Sequence, residues 1–379
     1  MQEAGFEPAN RYGLGPHPSA FDQAGRLLRQ PSLSPRVYQH RDFPQRNMSP
    51  HNNPMTDTCS KNGACLLEQH HRQSSEKFDF ARVYVSEVIE YDRHHPVLID
   101  MLRAFYWRLN LGFKKVKSKR LRKKLGNNIK AIITESENGL FAVEPEDLEV
   151  GQKLRSGGFG IEEVRRLKKF INHTSKVLIV GTHIGSLAIP LSKHCKEITA
   201  IEANPNTFEL LEINLHLNNV DNIMPHNIFA NDSHEKVEFL LNTVNSGGSK
   251  RKPKKSSFLY DFDDPETIEL ESHRLDDYLP HHDYDLILLD IEGSEYFAMK
   301  GMENILSNCK TLVVEFLPHH LKNVADIDVD TFLSALPNHF TRFELPDQKQ
   351  EHNISDVKTV LQKMFDSNIG EDGIIFTSN

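Results

Sequence analysis

The stretch KVLIVGTHIGSLAIPLS, residues 176–192, decides the fold of this chain. It begins with a short apolar run, passes through a turn that carries Gly181 and Gly185, and continues as an apolar segment that predicts a helix over 184–191. A second apolar run over 197–201 predicts the next strand. Strand, glycine turn, helix and strand in this order are typical of a parallel α/β sheet.

The same alternation continues toward the C-terminus. Asn204 and Pro205 are favoured residues for the N-cap and the first position of a helix, which we expect to end near Leu217. DLILL (285–289) and TLVVEF (311–316) are nearly continuous apolar runs, as in parallel strands covered on both faces. The other predicted elements are helices over 162–171 and 294–306 and strands over 223–230, 237–241, 341–345 and 373–377. Together they predict a doubly wound sheet over residues 145–379.

The front of the chain differs in composition. Residues 1–75 are rich in Pro, Gln, His, Asn and Ser without periodicity, which predicts a disordered tail. Residues 76–144 are interpreted as a helical, basic lead-in. Residues 1–125 hold 21 Lys and Arg against 12 Asp and Glu, whereas the remainder holds 24 against 41. Any contact with a polyanion is therefore expected near the front.

Two basic segments each have two interpretations. The first, 97–124, places apolar residues and the single Trp107 on a predicted helix before a run of Lys and Arg. It is either an interfacial helix or RNA-contacting arm, or a helix whose aromatic residues pack on the main domain. The second, 245–257, is predicted to be a mobile loop. Its cations would attract a phosphorylated acceptor or simply keep the loop soluble.

Composition excludes several classes of protein. No apolar run approaches the roughly 20 residues of a membrane-spanning helix, and the sequence MQEAGFEPAN at the start has no apolar core of a secretory signal. The four cysteines show neither a disulfide framework nor zinc-finger spacing, so no metal is predicted. A reducing, cytoplasmic location is expected.

Three groups of residues carry candidate chemistry. The first is the turn Gly181–Thr182–His183–Ile184–Gly185, whose glycines allow close approach of the backbone and whose following helix suits a small anion. Its G-x-x-x-G spacing is not the G-x-G-x-x-G of dinucleotide folds, which disfavours a dehydrogenase. The second is Glu202, 21 residues after Gly181 at the end of the second strand, where a carboxylate can bind both hydroxyls of a ribose.

The third group is Asp290–Ile291–Glu292–Gly293–Ser294–Glu295, directly after DLILL. Ligands of open parallel sheets bind at the carboxyl ends of the strands. Three acids so close to a buried strand are costly to bury unpaired, so a structural role alone is not expected for Asp290. Glu295 fits the start of a helix, where its charge meets the helix dipole.

These residues resemble the FkbM-type S-adenosylmethionine-dependent methyltransferases. The resemblance covers about 145–379; it lies in residues 146–171, 176–192, 198–223, 274–279, 285–306 and 312–316. Its strongest element is the D-[VI]-E-G-x-E pattern, here Asp290–Glu295. The sequence departs from the family at Ile179, where an aspartate is usual, and at His183, where an asparagine is frequent.

The resemblance implies a seven-stranded methyltransferase sheet with an antiparallel last strand, and methyl transfer to a hydroxyl of a sugar, lipid or secondary metabolite. S-adenosyl-L-methionine is the implied cofactor. The residues expected to bind it are Gly181, Thr182, His183, Gly185, Glu202, Ala203, Ala230, Asn231 and Asp290. The acceptor is expected to be a small molecule or a glycan. Alternatives are an RNA methyltransferase that uses the basic arm and a non-catalytic cofactor-binding module.

Methyl transfer to an alcohol also needs a group that accepts the proton. Position alone nominates Asp290, Glu292 and His183, in that order, as the general base. Glu315, after the next strand, and the pair His319–His320 are candidates for the lining of the acceptor pocket.

Overall fold

A computed structural model describes residues 96–378, with side chains from residue 105 onward. The tail predicted over 1–75 and the boundary after it lie outside these residues, and the boundary at 144/145 stays a prediction. The strands, in chain order, are β1 (Ile132–Ser136), β2 (Gly139–Val143), β3 (Lys176–Val180), β4 (Glu197–Ile201), β5 (Ile223–His226), β6 (Phe229–Ala230), β7 (Lys236–Leu241), β8 (Lys250–Arg251), β9 (Glu266–His273), β10 (Leu286–Leu289), β11 (Thr311–Phe316), β12 (Arg342–Leu345), β13 (Gln350–Asn353) and β14 (Glu371–Thr377).

The helices are mostly short. Their bounds are Pro96–Leu125, Val150–Arg155, Ile161–Leu167, Ala188–Ser192, Pro205–Leu217, Phe258–Asp261, Leu275–Tyr278, Glu295–Lys300, Glu303–Asn308, Pro318–His320, Val329–Leu333 and Val357–Ser367, with a π-helical turn at Leu321–Ala325 and 3₁₀ turns at Ser246–Gly248 and Ile354–Asp356. Within residues 96–378, none of the helices combines the length and the apolar character required to span a membrane.

One large mixed sheet positions the site. Its strand order is β13-β12-β14-β11-β10-β3-β4-β5. The five strands from β11 to β5 are parallel to one another, and β14 pairs antiparallel with β11. The expected α/β sheet with an antiparallel last strand is therefore present. Seven of its strands were predicted; β13, which pairs antiparallel with β12, is an eighth.

The central strands are covered on both faces, as their apolar sequences predict. In β3, Leu178 and Val180 contribute to one core cluster and Val177 and Ile179 to the other. This alternation follows from the period of two along a strand. The strand order changes direction between β3 and β10, and in sheets of this kind ligands bind beyond the strand ends at such a point.

Glycines end or delay two of the predicted helices. The helix predicted over 184–191 begins only at Ala188, because Gly185 has φ +87° and the preceding residues form turns. The helix predicted over 294–306 is broken at Gly301 into two. A β-carbon at Gly301 would lie 1.8 Å from the carbonyl oxygen of Asn231, so the glycine is required by close packing rather than by its φ.

The strand predicted over 223–230 is also interrupted. Asn227 turns the chain by donating its side-chain amide to the carbonyl oxygens of Glu202 and Ala203, at 2.8 and 3.2 Å. Only β5 stays in the large sheet. The following two residues form β6 in a four-stranded sheet of order β6-β9-β7-β8, which also contains the predicted strand at 237–241.

A hairpin that the sequence pattern does not predict precedes the sheet. Its strands β1 and β2 pair antiparallel over Ile132–Val143. The fully buried side chain of Asn214, on the helix Pro205–Leu217, accepts from Ala142 N at 2.6 Å and donates to Ala142 O and Ile184 O at 3.2 and 2.9 Å. One amide therefore joins the hairpin, this helix and the glycine turn.

The basic helix, Pro96–Leu125, is longer than the predicted apolar face and includes the run of cations. Its second half lies on the main body: Leu111 is buried, and Lys114, Lys115 and Arg122 form ion pairs with Glu149, Asp264 and Glu146. Phe105 and Trp107 are 61% and 57% exposed. The prediction that these aromatic residues fill a core is therefore wrong for the described residues.

Candidate active site

A cavity of about 410 Å³ opens at the carboxyl ends of β3, β4, β10 and β11. Glu202 and Asp290, which follow β4 and β10, both line it. Gly181, Thr182, His183, Ala203, Ala230 and Glu292 line it as well, so eight of the ten predicted site residues share one cavity. Gly185 and Asn231 are not among its lining residues.

The glycine turn brings two strand ends together. Gly181 has φ +91°, and its N–H and that of Thr182 donate to the carbonyl oxygen of Ile201 at 2.9 and 3.0 Å. The N–H of His183 donates to Glu202 Oε2, and that of Gly185 to the carbonyl oxygen of Thr182. These four donors are committed within the chain. The predicted contact of this turn and the helix start with a carboxylate stays a prediction.

Glu202 is a buried carboxylate held by main-chain donors. Its Oε1 accepts from Asn204 N at 2.8 Å and its Oε2 from His183 N at 2.7 Å. Burial raises the pKa of Glu202 to about 7, although these main-chain hydrogen bonds act in the opposite direction. Each carboxylate oxygen has a second acceptor site, so both oxygens can still bind hydroxyl donors from the cavity.

His183 lines the cavity, and its ring is held by a hydrogen bond. Its Nε2 lies 2.8 Å from Ser246 Oγ, and that hydroxyl donates to Asp147 Oδ2 at 2.5 Å. Because the serine hydroxyl gives its proton to Asp147, Nε2 of His183 is the donor to Ser246. Burial lowers the pKa of His183 to about 4, so the ring is neutral at pH 7. Its backbone has φ +53°, which is uncommon outside glycine and often found at functional sites.

The acidic loop after β10 contains one carboxylate with a structural role, Glu295, and two that line the cavity, Asp290 and Glu292. Glu295 is buried and accepts from Ile291 N and Gly293 N at 3.0 to 3.1 Å, so it holds the loop in shape. Glu292, with φ +56°, accepts from Lys250 Nζ at 2.8 Å. The Asp290 side chain is exposed to the cavity, and within residues 96–378 no hydrogen bond or ion pair reaches its carboxylate.

Further carboxylates line the same cavity beside Asp290. They are Glu163, Glu315 and Asp372, from the helix Ile161–Leu167, β11 and β14. Among the described residues, Glu163 and Asp372 also have no hydrogen-bonded or ion-paired partner. Desolvation, followed by the charge of Glu292, raises the pKa of Asp290 well above its ordinary value. Desolvation likewise raises the pKa of Glu163 to about 7.

The segment predicted as a mobile loop over 245–257 contains β8, with the buried Lys250 and the half-buried Arg251, which corrects both interpretations for these two cations; Lys252, Lys254 and Lys255 are exposed. Lys250 in β8 is buried, and its ammonium lies 2.8 Å from Glu292 Oε2 and 3.3 Å from His320 Nε2. Arg251 donates to Asn231 Oδ1 at 2.5 Å and covers the ring of Phe297 at 4.1 Å. Neither side chain is a free surface charge.

A metal ion is not needed to explain this cluster. Glu292, Glu315 and His320 each place a potential ligand atom within 4.8 Å of the others. However, Lys250 already places an ammonium against Glu292 and His320 at hydrogen-bonding distance. A side chain therefore supplies positive charge to Glu292 and His320, the two members of this cluster that Lys250 contacts.

The end of the cavity beyond Glu202 is largely apolar. Ile228, Phe229, Ala230 and Phe239 line it. Asn231, which was expected to bind the edge of an adenine, is fully buried; its amide donates to Ser233, Glu235 and Ser272, and its oxygen accepts from Arg251. A hydrogen bond from Asn231 to a ligand would require these bonds to break.

Several lining or supporting residues escaped the sequence reading. Glu163, Lys250 and Asp372 enter the site from elements distant along the chain, and their residue types are common on surfaces. Ser246 and Asp147 are joined only by the fold. The one available signal was the basic run at Lys250–Lys255, which we interpreted as attracting a phosphorylated acceptor or keeping a loop soluble.

Residues 180–342 match the family model of the methyltransferase FkbM domain. The match runs from the last residue of β3 to the first residue of β12 and includes Glu202, Asp290 and Glu315. The resemblance to FkbM-type methyltransferases is thereby confirmed over these residues. No curated protein sequence matches the chain.

Several solved structures are similar to the chain at low identity. A methyltransferase FkbM from Methylobacillus flagellatus KT is 18% identical, with 54% of this chain and 44% of that one covered and a TM-score of 0.33. A tRNA m1G37 methyltransferase of M. jannaschii is 13% identical, with 67% and 58% covered and a TM-score of 0.34. Trm5b from Pyrococcus abyssi is 14% identical, with 51% and 43% covered and a TM-score of 0.29. The chain spans less than two thirds of these three structures.

Proposed function

We propose that this protein is an S-adenosylmethionine-dependent methyltransferase that methylates a hydroxyl group of a sugar, lipid or secondary metabolite. The observation that carries the proposal is the shared cavity of Glu202 and Asp290 at neighbouring strand ends, within the match to the methyltransferase FkbM domain. A cytoplasmic location remains a prediction.

The residues present fit this cofactor. The cavity of about 410 Å³ is within the range of small-molecule sites, and its ends differ in polarity. Glu202 would accept hydrogen bonds from ribose hydroxyls, and Phe229 and Phe239 would pack against an aromatic base. Asp290 and Glu163 would face cationic groups. When bound, S-adenosylmethionine supplies an electrophilic methyl group on a positively charged sulfur.

The carboxylates of Glu163 and Asp290 are relevant to Ile179, the position at which the family usually has an aspartate. Ile179 is buried in the core, and an acid there is not required if cavity carboxylates from neighbouring elements attract the cationic groups of the cofactor. This weakens the motive for a non-catalytic binding module. Replacing Ile179 with aspartate would then give no gain in cofactor affinity.

Three residues were nominated to accept the proton of the hydroxyl. Glu292 is already paired with Lys250, and His183 directs Nε2 toward Ser246. Among the three, Asp290 alone presents a carboxylate without a partner in the described residues. The cavity walls would hold acceptor and cofactor together, and such positioning contributes about 7–11 kcal/mol to catalysis in well-aligned reactions.

Isothermal titration calorimetry with S-adenosylmethionine and S-adenosylhomocysteine tests the proposal on the full chain. We expect binding of both, and at least about a tenfold loss of affinity in Glu202→Gln, because a charged hydrogen-bond acceptor is lost. Glu209→Gln is the matched control, since Glu209 is exposed on the helix that follows Glu202. Absence of binding to the wild-type protein would reject the proposal.

An RNA acceptor is the alternative, motivated by the basic helix. Lys114, Lys115 and Arg122 of that helix are paired with acids of the body, so their charge is partly neutralised. We therefore expect weak RNA association in a filter-binding assay. Tight, strongly salt-dependent binding would favour the RNA methyltransferase instead.

A further inference from the structure

Glu315 enters the cavity through an irregularity in the sheet. In the antiparallel pair of β11 and β14, Val314 opposes Ile374 and Phe316 opposes Glu371, so Asp372 and Gly373 together face Glu315. A bulge of this kind re-aims side chains and is frequent beside active sites. As a result Glu315 and Asp372 line the cavity next to Asp290. Glu315 is nevertheless 91% buried, in contrast to the open carboxylate of Asp290.

A buried histidine lies behind Glu315. His320 Nδ1 is 3.4 Å from Glu315 Oε2, and both atoms are buried without a hydrogen-bond partner. On the other side of the ring, Lys250 Nζ is 3.3 Å from His320 Nε2. An ammonium can only donate, so Nε2 accepts and Nδ1 carries the proton that faces Glu315. Burial, and next the charge of Lys250, lowers the pKa of His320 well below its ordinary value, so the ring is neutral.

Glu315 and Glu292 differ in the charge of the group that each carboxylate faces. Glu292 contacts the ammonium itself at 2.8 Å, whereas Glu315 faces only a neutral ring N–H. The N–H dipole of His320 lowers the proton affinity of Glu315 less than the full charge of an ammonium in the same place would. The charged groups that act on Glu315 are Asp290, Glu292, Glu295 and Lys250. The two other elements packed against Glu315 contribute Asp372 and the neutral His320.

We propose that Glu315 is the catalytic base of this site and that His320, held by Lys250, is its positioning residue. The proposal rests on the proposed function. As the acceptor oxygen forms its bond to the methyl carbon, the carbon–sulfur bond breaks and its electron pair remains on sulfur. The hydroxyl proton passes to the carboxylate of Glu315. When Asp290 is ionised, its negative charge raises the proton affinity of Glu315.

The ligand-free protein offers a direct measurement. Glutamate labelled with ¹³C at Cδ is followed by NMR against pH, and the Glu315 signal is assigned by its loss in Glu315→Gln. We expect Glu315 to titrate above the ordinary glutamate value of about 4.3. Asp290→Asn should lower that midpoint by about one pH unit, because a neighbouring negative charge is removed. A Glu315 midpoint at the ordinary value, unchanged by Asp290→Asn, would overturn the proposal.

Methyl transfer gives the second measurement. Single-turnover transfer of labelled methyl is followed with the cell-extract fraction that accepts most label from the wild-type full chain. We expect Glu315→Gln to lower the rate by about 10²- to 10⁴-fold, with S-adenosylhomocysteine affinity within about threefold of wild type. Glu315→Asp should recover part of the rate. Glu344→Gln, on β12 of the same sheet and away from the cavity, should match wild type.

The positioning role of His320 has its own readout. His320→Leu removes the N–H that faces Glu315, so the acid limb of the pH–rate profile should move to higher pH, and His320→Asn should restore part of the shift. If the acid limb of the pH–rate profile of His320→Leu lies at the same pH as in the wild type, this role is contradicted. If wild type binds no cofactor, the proposed function itself fails. If it binds and transfers while Glu315→Gln transfers equally fast, or if Glu315→Gln loses cofactor affinity together with rate, only the base assignment fails.

Discussion

A β-carbon on Gly181 would lie 1.7 Å from the carbonyl oxygen of Asp290. The ends of β3 and β10 therefore meet only because residue 181 has no side chain, and its φ of +91° also favours glycine. This contact fixes the distance between the turn and the acidic loop. Since both elements line the cavity, its shape depends on this one position.

Gly181→Ala should be strongly destabilising. The clash with the main chain and the positive φ together should lower the free energy of unfolding by about 2 kcal/mol or more. Chemical denaturation measures the loss. Gly112→Ala is the control, because a β-carbon there meets nothing within 4 Å and the residue lies in a helix. Equal stability of the two variants would show that the strand ends can separate without cost.

Cofactor affinity should depend on the protonation of Glu202. Its folded-state pKa of about 7 is above the ordinary glutamate value, and only the ionised form has both oxygens free of a proton. Affinity for S-adenosylhomocysteine should therefore be greatest above pH 7 and fall as the pH decreases through 7. Calorimetry is carried out from about 1.5 pH units below this pKa to about 1.5 units above it. In Glu202→Gln the affinity for S-adenosylhomocysteine should depend much less on pH over the same range.

Asn214 should contribute several hydrogen bonds to the free energy of unfolding. Its fully buried side-chain amide forms hydrogen bonds with the backbone N–H and the carbonyl oxygen of Ala142 and with the carbonyl oxygen of Ile184. Asn214→Leu leaves these groups unpaired, each costing about 1–3 kcal/mol, so the protein should lose several kcal/mol. Asn206→Ala, at an exposed position of the same helix, should change stability little. A small loss in Asn214→Leu would mean that water replaces the amide.

The single tryptophan reports on the basic helix. Trp107 is 57% exposed and lies on the same helix as the cations that follow it. If this helix contacts a membrane surface, as one interpretation of 97–124 predicts, anionic vesicles should shift Trp107 emission to shorter wavelength and neutral vesicles should not. Trp107→Phe removes the signal and serves as the spectroscopic control. An unshifted spectrum with anionic vesicles would exclude insertion of Trp107.

Local patterns sufficed for the central strands of the sheet. β3, β4 and β11 and the helix Pro205–Leu217 lie where their apolar runs and the Asn204–Pro205 cap predict, because burial on both faces leaves a strong signal. β1, β9 and β13 are half-exposed or edge strands with mixed composition, and their pairing depends on contacts distant along the chain. Such strands carry no comparable pattern.

The part of the site that directly follows the buried strands could also be predicted from the sequence. Glu202 and Asp290 follow buried strands directly, so the topology alone brings them to one edge. The role of Lys250 could not be foreseen, because a lysine in a basic run is usually solvated and only the fold buries it against Glu292. The side-chain bonds of Asn231 and the main-chain bonds of the glycine turn were likewise visible only in three dimensions.

The two outermost strands of the large sheet have a consequence for self-association. β5 contains Pro225, which has no N–H to donate, and β13 is four residues long with the polar sequence QEHN. Short, polar or proline-bearing rims are poor templates for another chain. Neither rim of this sheet therefore favours continuation of the sheet from one molecule into the next.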